Sequence, residues 1–256
     1  MSLEACAGLV ERGDPDRFLA TMAAPVPARR VLFPLYAFNI EVSRAPWLTE
    51  EPMIAEMRLQ WWRDVLEEIR SGARVRSHEV ATPLAEVLDA EAVAVLDRLV
   101  AARRWEVYRD PFEDQAAFDA YLEETGAGLV WAAGRALGAE AAAEPVLREQ
   151  GWAAALARYL QAVPDLEARG RIPLVDGRAE AVAELARRGL ARLAEARGAR
   201  GMVPVAARAA LFAGWQAETI LRQATEAPGL VAAGGLGLSE FAKRARLAWV
   251  SATGRW

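Results

Sequence analysis

The stretch Glu51-Pro52-Met53-Ile54-Ala55-Glu56-Met57-Arg58-Leu59-Gln60-Trp61-Trp62-Arg63-Asp64-Val65-Leu66-Glu67-Glu68-Ile69-Arg70-Ser71-Gly72 reads as one long helix. Pro52 stands where a helix opens without needing its missing N–H, and Ser71-Gly72 is a stop. On a wheel of about 100° per residue, Ile54, Trp61, Trp62, Val65 and Ile69 form one stripe, and Arg58 projects from its middle. A guanidinium inside an apolar stripe needs a carboxylate, backbone carbonyls or a bound anion, since breaking a buried pair costs about 3–5 kcal/mol. The alternative is an aliphatic stem that packs while the head reaches water.

The same periodicity extends in both directions. Asp14-Pro15 reads as an N-cap with proline at the first helical position, opening a short helix that ends near Ala24-Pro25-Val26-Pro27. A second helix runs to about Arg44, with a kink or a late start at Pro34. Further helices are expected at about 79–89, 92–109, 114–137, 140–163, 178–197, 203–226 and 239–253, with breaks that carry Gly or Pro. No convincing strand is seen. The fold class is therefore all-α, and residues 1–256 are expected to form a single domain, because neither a composition shift nor a repeat divides them.

Composition removes whole classes of function. The 256 residues are 54% hydrophobic and 26% charged, with a net charge of −4, which suits a sizeable core and argues against nucleic-acid binding through phosphate contacts. Cys6 and His78 are the only residues of their kinds, so a disulfide framework, Cys/His zinc sites and HExxH metalloproteases are excluded. A Ser-His-Asp triad would have to use His78, which lies in a polar stretch away from any nucleophile elbow. The single lysine, Lys243, follows no Gly-rich loop, so a P-loop is absent. The longest charge-free run near the end, Ala227 to Ser239, is shorter than the about 20 apolar residues that span a bilayer. The opening Met1-Ser2-Leu3-Glu4-Ala5-Cys6 carries neither a signal nor a transit pattern, so a cytoplasmic location is expected, with peripheral membrane contact allowed.

Polar residues enter a second apolar face. Tyr36, Asn39 and Ser43 share a side with Leu32 and Ile40, whereas Glu41 lies on the far side. Such a strip is either an internal hydrogen-bond network or the lining of a pocket. Most of the nine tryptophans are expected in the core. Small-residue patches such as Gly126-Ala127-Gly128 and Ala153-Ala154-Ala155 would leave room for a hydrocarbon chain.

The run Leu35-Tyr36-Ala37-Phe38-Asn39-Ile40-Glu41-Val42, then Glu51-Pro52-Met53 and Arg58-Leu59-Gln60-Trp61-Trp62-Arg63-Asp64, resembles the N-terminal part of squalene/phytoene synthase family proteins. Gly170-Arg171 and the ending from Ser239-Glu240-Phe241 to Gly254-Arg255-Trp256 are similar to the same family. The resemblance implies an isoprenoid-synthase-like helical bundle around a central cavity. It also implies two Asp pairs that hold Mg²⁺ against prenyl diphosphates, which is chemistry that calls for oxygen-rich sites. The first pair would fall at Ser43 and Trp47, and the second at Ala162 and Leu166. Asp165 is one residue out of register, behind Pro164.

With four carboxylates missing, the expectation is a member that has lost Mg-dependent prenyl transfer and has no catalytic residues, no metal ligands and no cofactor. The YAFN-x-E and RLQWW patterns resemble a branch that includes a mitochondrial complex I assembly factor. That implies an assembly or ligand-binding role, at the inner face of the membrane, with a respiratory-complex subunit or a lipid-like prenyl ligand as partner. Candidate cavity- or diphosphate-facing residues are Arg30, Tyr36, Asn39, Ser43, Arg58, Trp62 and Arg171. The alternative is an active prenyl-diphosphate transferase, with Mg²⁺ or with Arg30, Arg58 and Arg171 on the phosphate oxygens.

Overall fold

Local signals set most of the helix ends. In the computed structural model Asp14 caps the helix that begins at Pro15, its carboxylate accepting from the Arg17 N–H at 3.0 Å. Gly72 closes the helix that begins at Pro52 with φ 68°, a left-handed conformation open to glycine. The structure describes residues 3–254 and Trp256; Met1, Ser2 and Arg255, the last within the ending quoted above, lie outside the described residues. In chain order the α-helices are α1 (Leu3–Gly13), α2 (Pro15–Ala23), α3 (Val26–Arg44), α4 (Pro52–Ser71), α5 (Ala81–Ala85), α6 (Ala90–Ala102) and α7 (Gln115–Leu122). They continue as α8 (Gly128–Ala136), α9 (Glu144–Ala168), α10 (Ala179–Gly198), α11 (Ala217–Glu226), α12 (Gly229–Ala232) and α13 (Glu240–Thr253). No strand occurs among the described residues. None of the described helices is long and apolar enough to cross a membrane.

Five stretches differ from the sequence reading. Helix α1 lies ahead of the first helix expected; it is held by burial of Cys6, Leu9 and Val10 and packs on α3. Helix α3 continues through Pro34, and α9 continues through Pro164, because both prolines are embedded in helices already fixed by burial on several sides. The expected helix 114–137 is interrupted by a π-helical turn, Glu123–Ala127, between α7 and α8. The expected helix 203–226 divides into a 3₁₀ stretch, Ala206–Gly214, and α11.

The π turn lies in close contact with α9. A Cβ on Gly126 would stand 2.1 Å from the Ala155 Cβ, and one on Gly151 would stand 2.7 Å from the Ala127 Cα. The two glycines let the backbone of the turn lie directly on α9. Long α9 also packs against α8, α10 and α11, which makes it the central post of the bundle. One continuous core runs from Cys6 to Trp256 and encloses Trp131, Trp152, Trp215 and Tyr36 completely.

Candidate functional site

The helices enclose a cavity of about 390 Å³. On α9, Gly151, Ala154, Ala155, Arg158, Ala162, Asp165, Leu166 and then Arg169 follow at steps of one, three and four, so one face of one helix forms a wall. Asn39, Ile40, Ser43 and Arg44 of α3 stand in the opposite register, continued by Trp47 in the 3₁₀ turn Ala45–Trp47. Asp14 and Arg17 enter from the head of α2. Arg103, Trp105 and Glu106 come from the 3₁₀ turn Arg103–Glu106, and Tyr121, Thr125 and Gly126 from around the π turn. A π turn beside a cavity is a frequent mark of a functional site.

Two charge clusters occupy the interior. Asp14 accepts from Arg158 at 2.6 Å and pairs with Arg17 at 3.1 Å. Burial works to raise its pKa, but the two guanidinium charges prevail and hold the carboxyl below its ordinary range. Arg17 lies 4.9 Å above the ring of Tyr36, whose phenol burial pushes up to about 12. In the second cluster, Glu106 accepts from Arg103 at 2.5 Å, from the Tyr121 hydroxyl at 2.6 Å and from the Trp47 indole N–H at 2.9 Å. Burial works against the Arg103 charge, yet Glu106 beside it keeps its pKa raised; burial drives the Tyr121 phenol well above its usual range.

Polar atoms are left over. Arg17 Nε, Arg103 Nε, Trp105 Nε1, Tyr36 Oη and Asn39 Oδ1 are buried with no hydrogen-bond partner among the described residues. A buried group in that condition costs about 1–3 kcal/mol, so five around one cavity mark a place where partners are wanted.

The expected site residues separate into two groups. Asn39 and Ser43 line the cavity, and Tyr36 lies beneath Arg17 at its edge. All four of the vacated acidic positions, Ser43, Trp47, Ala162 and Leu166, face the same cavity. Arg58 does not: it is exposed, as is Ile54, because the packed face of α4 runs through Ala55, Leu59, Trp62, Val65 and Leu66, turned from the stripe read on the wheel. Arg30 is also exposed. Trp62 belongs to a packed aromatic group with Phe38, Trp61 and His78, not to the cavity wall. Arg171 is committed to structure: it donates to the backbone carbonyls of Tyr108 and Glu106 and lies 5.1 Å from the Trp47 ring. Asp165, one residue out of register with the expected pair, lines the exposed mouth.

Sequence reasoning missed the two charge clusters. Asp14 was legible as a helix cap, yet only its second oxygen, which meets Arg158, makes it a cavity residue. Nothing in the spacing of Glu106, Arg103 and Tyr121 marks Trp47 as their fourth member.

The residues at the four vacated positions do not fit Mg²⁺. The Ser43 hydroxyl donates to the Ile40 carbonyl at 3.1 Å, the Trp47 N–H is spent on Glu106, and Ala162 and Leu166 offer no oxygen. Among the described residues no group of three or more His, Cys, Asp or Glu side chains is placed to hold a metal ion. Charged residues on the wall comprise five arginines, Arg17, Arg44, Arg103, Arg158 and Arg169, against the carboxylates Asp14, Glu106 and Asp165. The site therefore favours an anion over a cation.

The architecture is that of an isoprenoid-synthase bundle. A crystal structure of a dehydrosqualene synthase in complex with ligand superposes with a TM-score of 0.77 over 98% of this chain and 95% of that one, at 15% identity. Squalene synthase HpnC from Alicyclobacillus acidocaldarius gives 0.73 over 88% and 93%, at 17% identity. Residues 10–175 match the squalene/phytoene synthase family model, and the chain belongs to that family. Among curated proteins it is 32% identical over 185 residues to the Drosophila melanogaster homolog of NADH dehydrogenase (ubiquinone) complex I, assembly factor 6. The match takes in 66% of this chain and 53% of the relative, so the chain spans about half the length of that protein. The human assembly factor 6 is 31% identical over 64 residues, 25% of this chain and 19% of that protein.

Proposed function

We propose that this protein is a non-catalytic member of the squalene/phytoene synthase family that acts as an assembly factor for a respiratory NADH dehydrogenase. One observation carries the reading. Ser43, Trp47, Ala162 and Leu166 all face one cavity, and none supplies a carboxylate there. The buried carboxylates nearby are both occupied, Glu106 by Trp47, Arg103 and Tyr121, and Asp14 by Arg17 and Arg158. Ionisation of a prenyl diphosphate needs charge neutralisation at the leaving group, and losing even one such stabilising contact costs about 10²–10³ in rate. The similarity to assembly factor 6 proteins of fly and human supports the assembly role. No cofactor is required for it.

Incubating the purified protein with farnesyl or geranylgeranyl diphosphate and Mg²⁺ tests the first half. No diphosphate release is expected, and robust release overturns the reading. A deletion strain tests the second half: respiratory NADH oxidation falls while carotenoid or hopanoid content is unchanged, and the opposite pattern restores the synthase alternative.

A further inference from the structure

The surplus of arginine around the cavity is distributed by depth. Arg17 and Arg103 lie inside, each with a carboxylate partner and each with a buried Nε that has no acceptor among the described residues. Arg44 and Arg169 stand at the exposed mouth, and among the described residues neither has a carboxylate at ion-pair distance; Arg169 lies 4.9 Å from the Trp47 ring. Asn39, only 6% exposed and with an unpartnered Oδ1, lines the same cavity. Apolar and small residues, among them Gly126, Val130, Gly151 and Ala155, make up another part of the wall. The volume, about 390 Å³, falls within the range of roughly 300–1,000 Å³ common to small-molecule pockets.

We propose that this cavity binds an anionic amphiphile, a single carboxylate or phosphate-monoester headgroup on one apolar chain, held directly by arginine and without a divalent ion. Guanidinium forks match both oxyanions bidentately, and positive charge fixed in the wall replaces what a metal ion would otherwise provide. The unpartnered Nε–H and indole N–H groups are donors, so they ask for an acceptor-rich headgroup; the apolar wall accommodates the chain. The inference deepens the reading above and rests on it in one respect, that the cavity is not a magnesium-dependent centre.

The test is calorimetric titration of the full chain with dodecyl phosphate, dodecanoate and uncharged dodecanol below their micelle concentrations, each in EDTA and again in Mg²⁺. At least one of the two anions is expected to bind in EDTA with an affinity that Mg²⁺ does not increase, and dodecanol is expected to bind at least roughly tenfold more weakly. Arg44→Met and Arg169→Met remove mouth charges that hold no ion pair, so the variants fold, and each should weaken the anion roughly tenfold. Arg58→Met, exposed and away from the cavity, should leave binding unchanged. Absence of anion binding, equal binding of dodecanol, a requirement for Mg²⁺, or indifference to both mouth variants overturns the proposal. Diphosphate release from farnesyl diphosphate would instead overturn the functional reading, so the two failures are distinguishable.

Discussion

Arg158 of α9 donates to Asp14 at the head of α2 at 2.6 Å, joining residues 144 positions apart. The Asp14 carboxylate thus caps a helix with one oxygen and ties the bundle's central post to it with the other. The pairing holds α2 against the cavity and keeps Arg17 directed at Tyr36.

Asp14→Ala removes the cap and strands the buried Arg17, so a loss of about 3–5 kcal/mol is expected in urea unfolding. Asp14→Asn retains an acceptor for the cap and should lose less. Arg158 is 41% exposed in its side chain, so Arg158→Met should cost only about 1 kcal/mol. If Arg158→Met were as damaging as Asp14→Ala, the hierarchy drawn here would be wrong.

Gly126→Ala places a methyl group 2.1 Å from the Ala155 Cβ, with the Gly151 carbonyl at 3.3 Å. The Ala155 Cβ is fixed to its backbone and has no rotamer by which to move aside. A destabilisation of about 1–3 kcal/mol is expected from thermal melts. Gly177→Ala, where nothing lies within 4 Å, is the control and should leave the midpoint nearly unmoved.

Glu218 accepts from Arg197, Arg222 and Arg246, so it joins α10 and α13 to α11. Burial alone would raise its pKa, but the arginine hydrogen bonds bring it down to about 2. A carboxylate depressed in the folded state contributes stability that is full above its unfolded pKa, near 4.5, and is lost as pH falls towards 2. Wild-type stability should therefore drop across that window. Glu218→Gln should be less stable at pH 7 and should flatten this part of the profile; an unchanged slope in chemical denaturation between pH 5 and 2.5 would contradict the assignment.

Arg171→Met should destabilise by about 1–3 kcal/mol, because the Tyr108 and Glu106 carbonyls lose their donor and Trp47 loses a cation on its face. Arg58→Met should stay within about 0.5 kcal/mol of wild type, as expected for an exposed side chain with no special role. Differential scanning calorimetry of the two variants distinguishes the framework arginine from the surface one.

Much of the helical plan was readable from neighbours along the chain. Asp14-Pro15 and Glu51-Pro52 mark helix starts and Ser71-Gly72 marks a stop, because capping and proline geometry act within one turn. The departures occur where packing overrides the local signal: Pro34 and Pro164 inside helices, and the π turn that lies against α9 where Gly126 approaches Ala155. The vacated acidic positions were legible as residue types, and their convergence follows from α3 and α9 facing each other.

By itself, then, the sequence determined the all-helical class, most helix boundaries, and the absence of carboxylates at Ser43, Trp47, Ala162 and Leu166. Tertiary structure alone decided which arginines matter. Arg30 and Arg58 turn to solvent and Arg171 to backbone carbonyls, while Arg17, Arg44, Arg103, Arg158 and Arg169 surround the cavity. The reason is rotational. Periodicity tells which residues share a helix face, but the direction of that face is set by the helices packed around it, which lie far away in the chain.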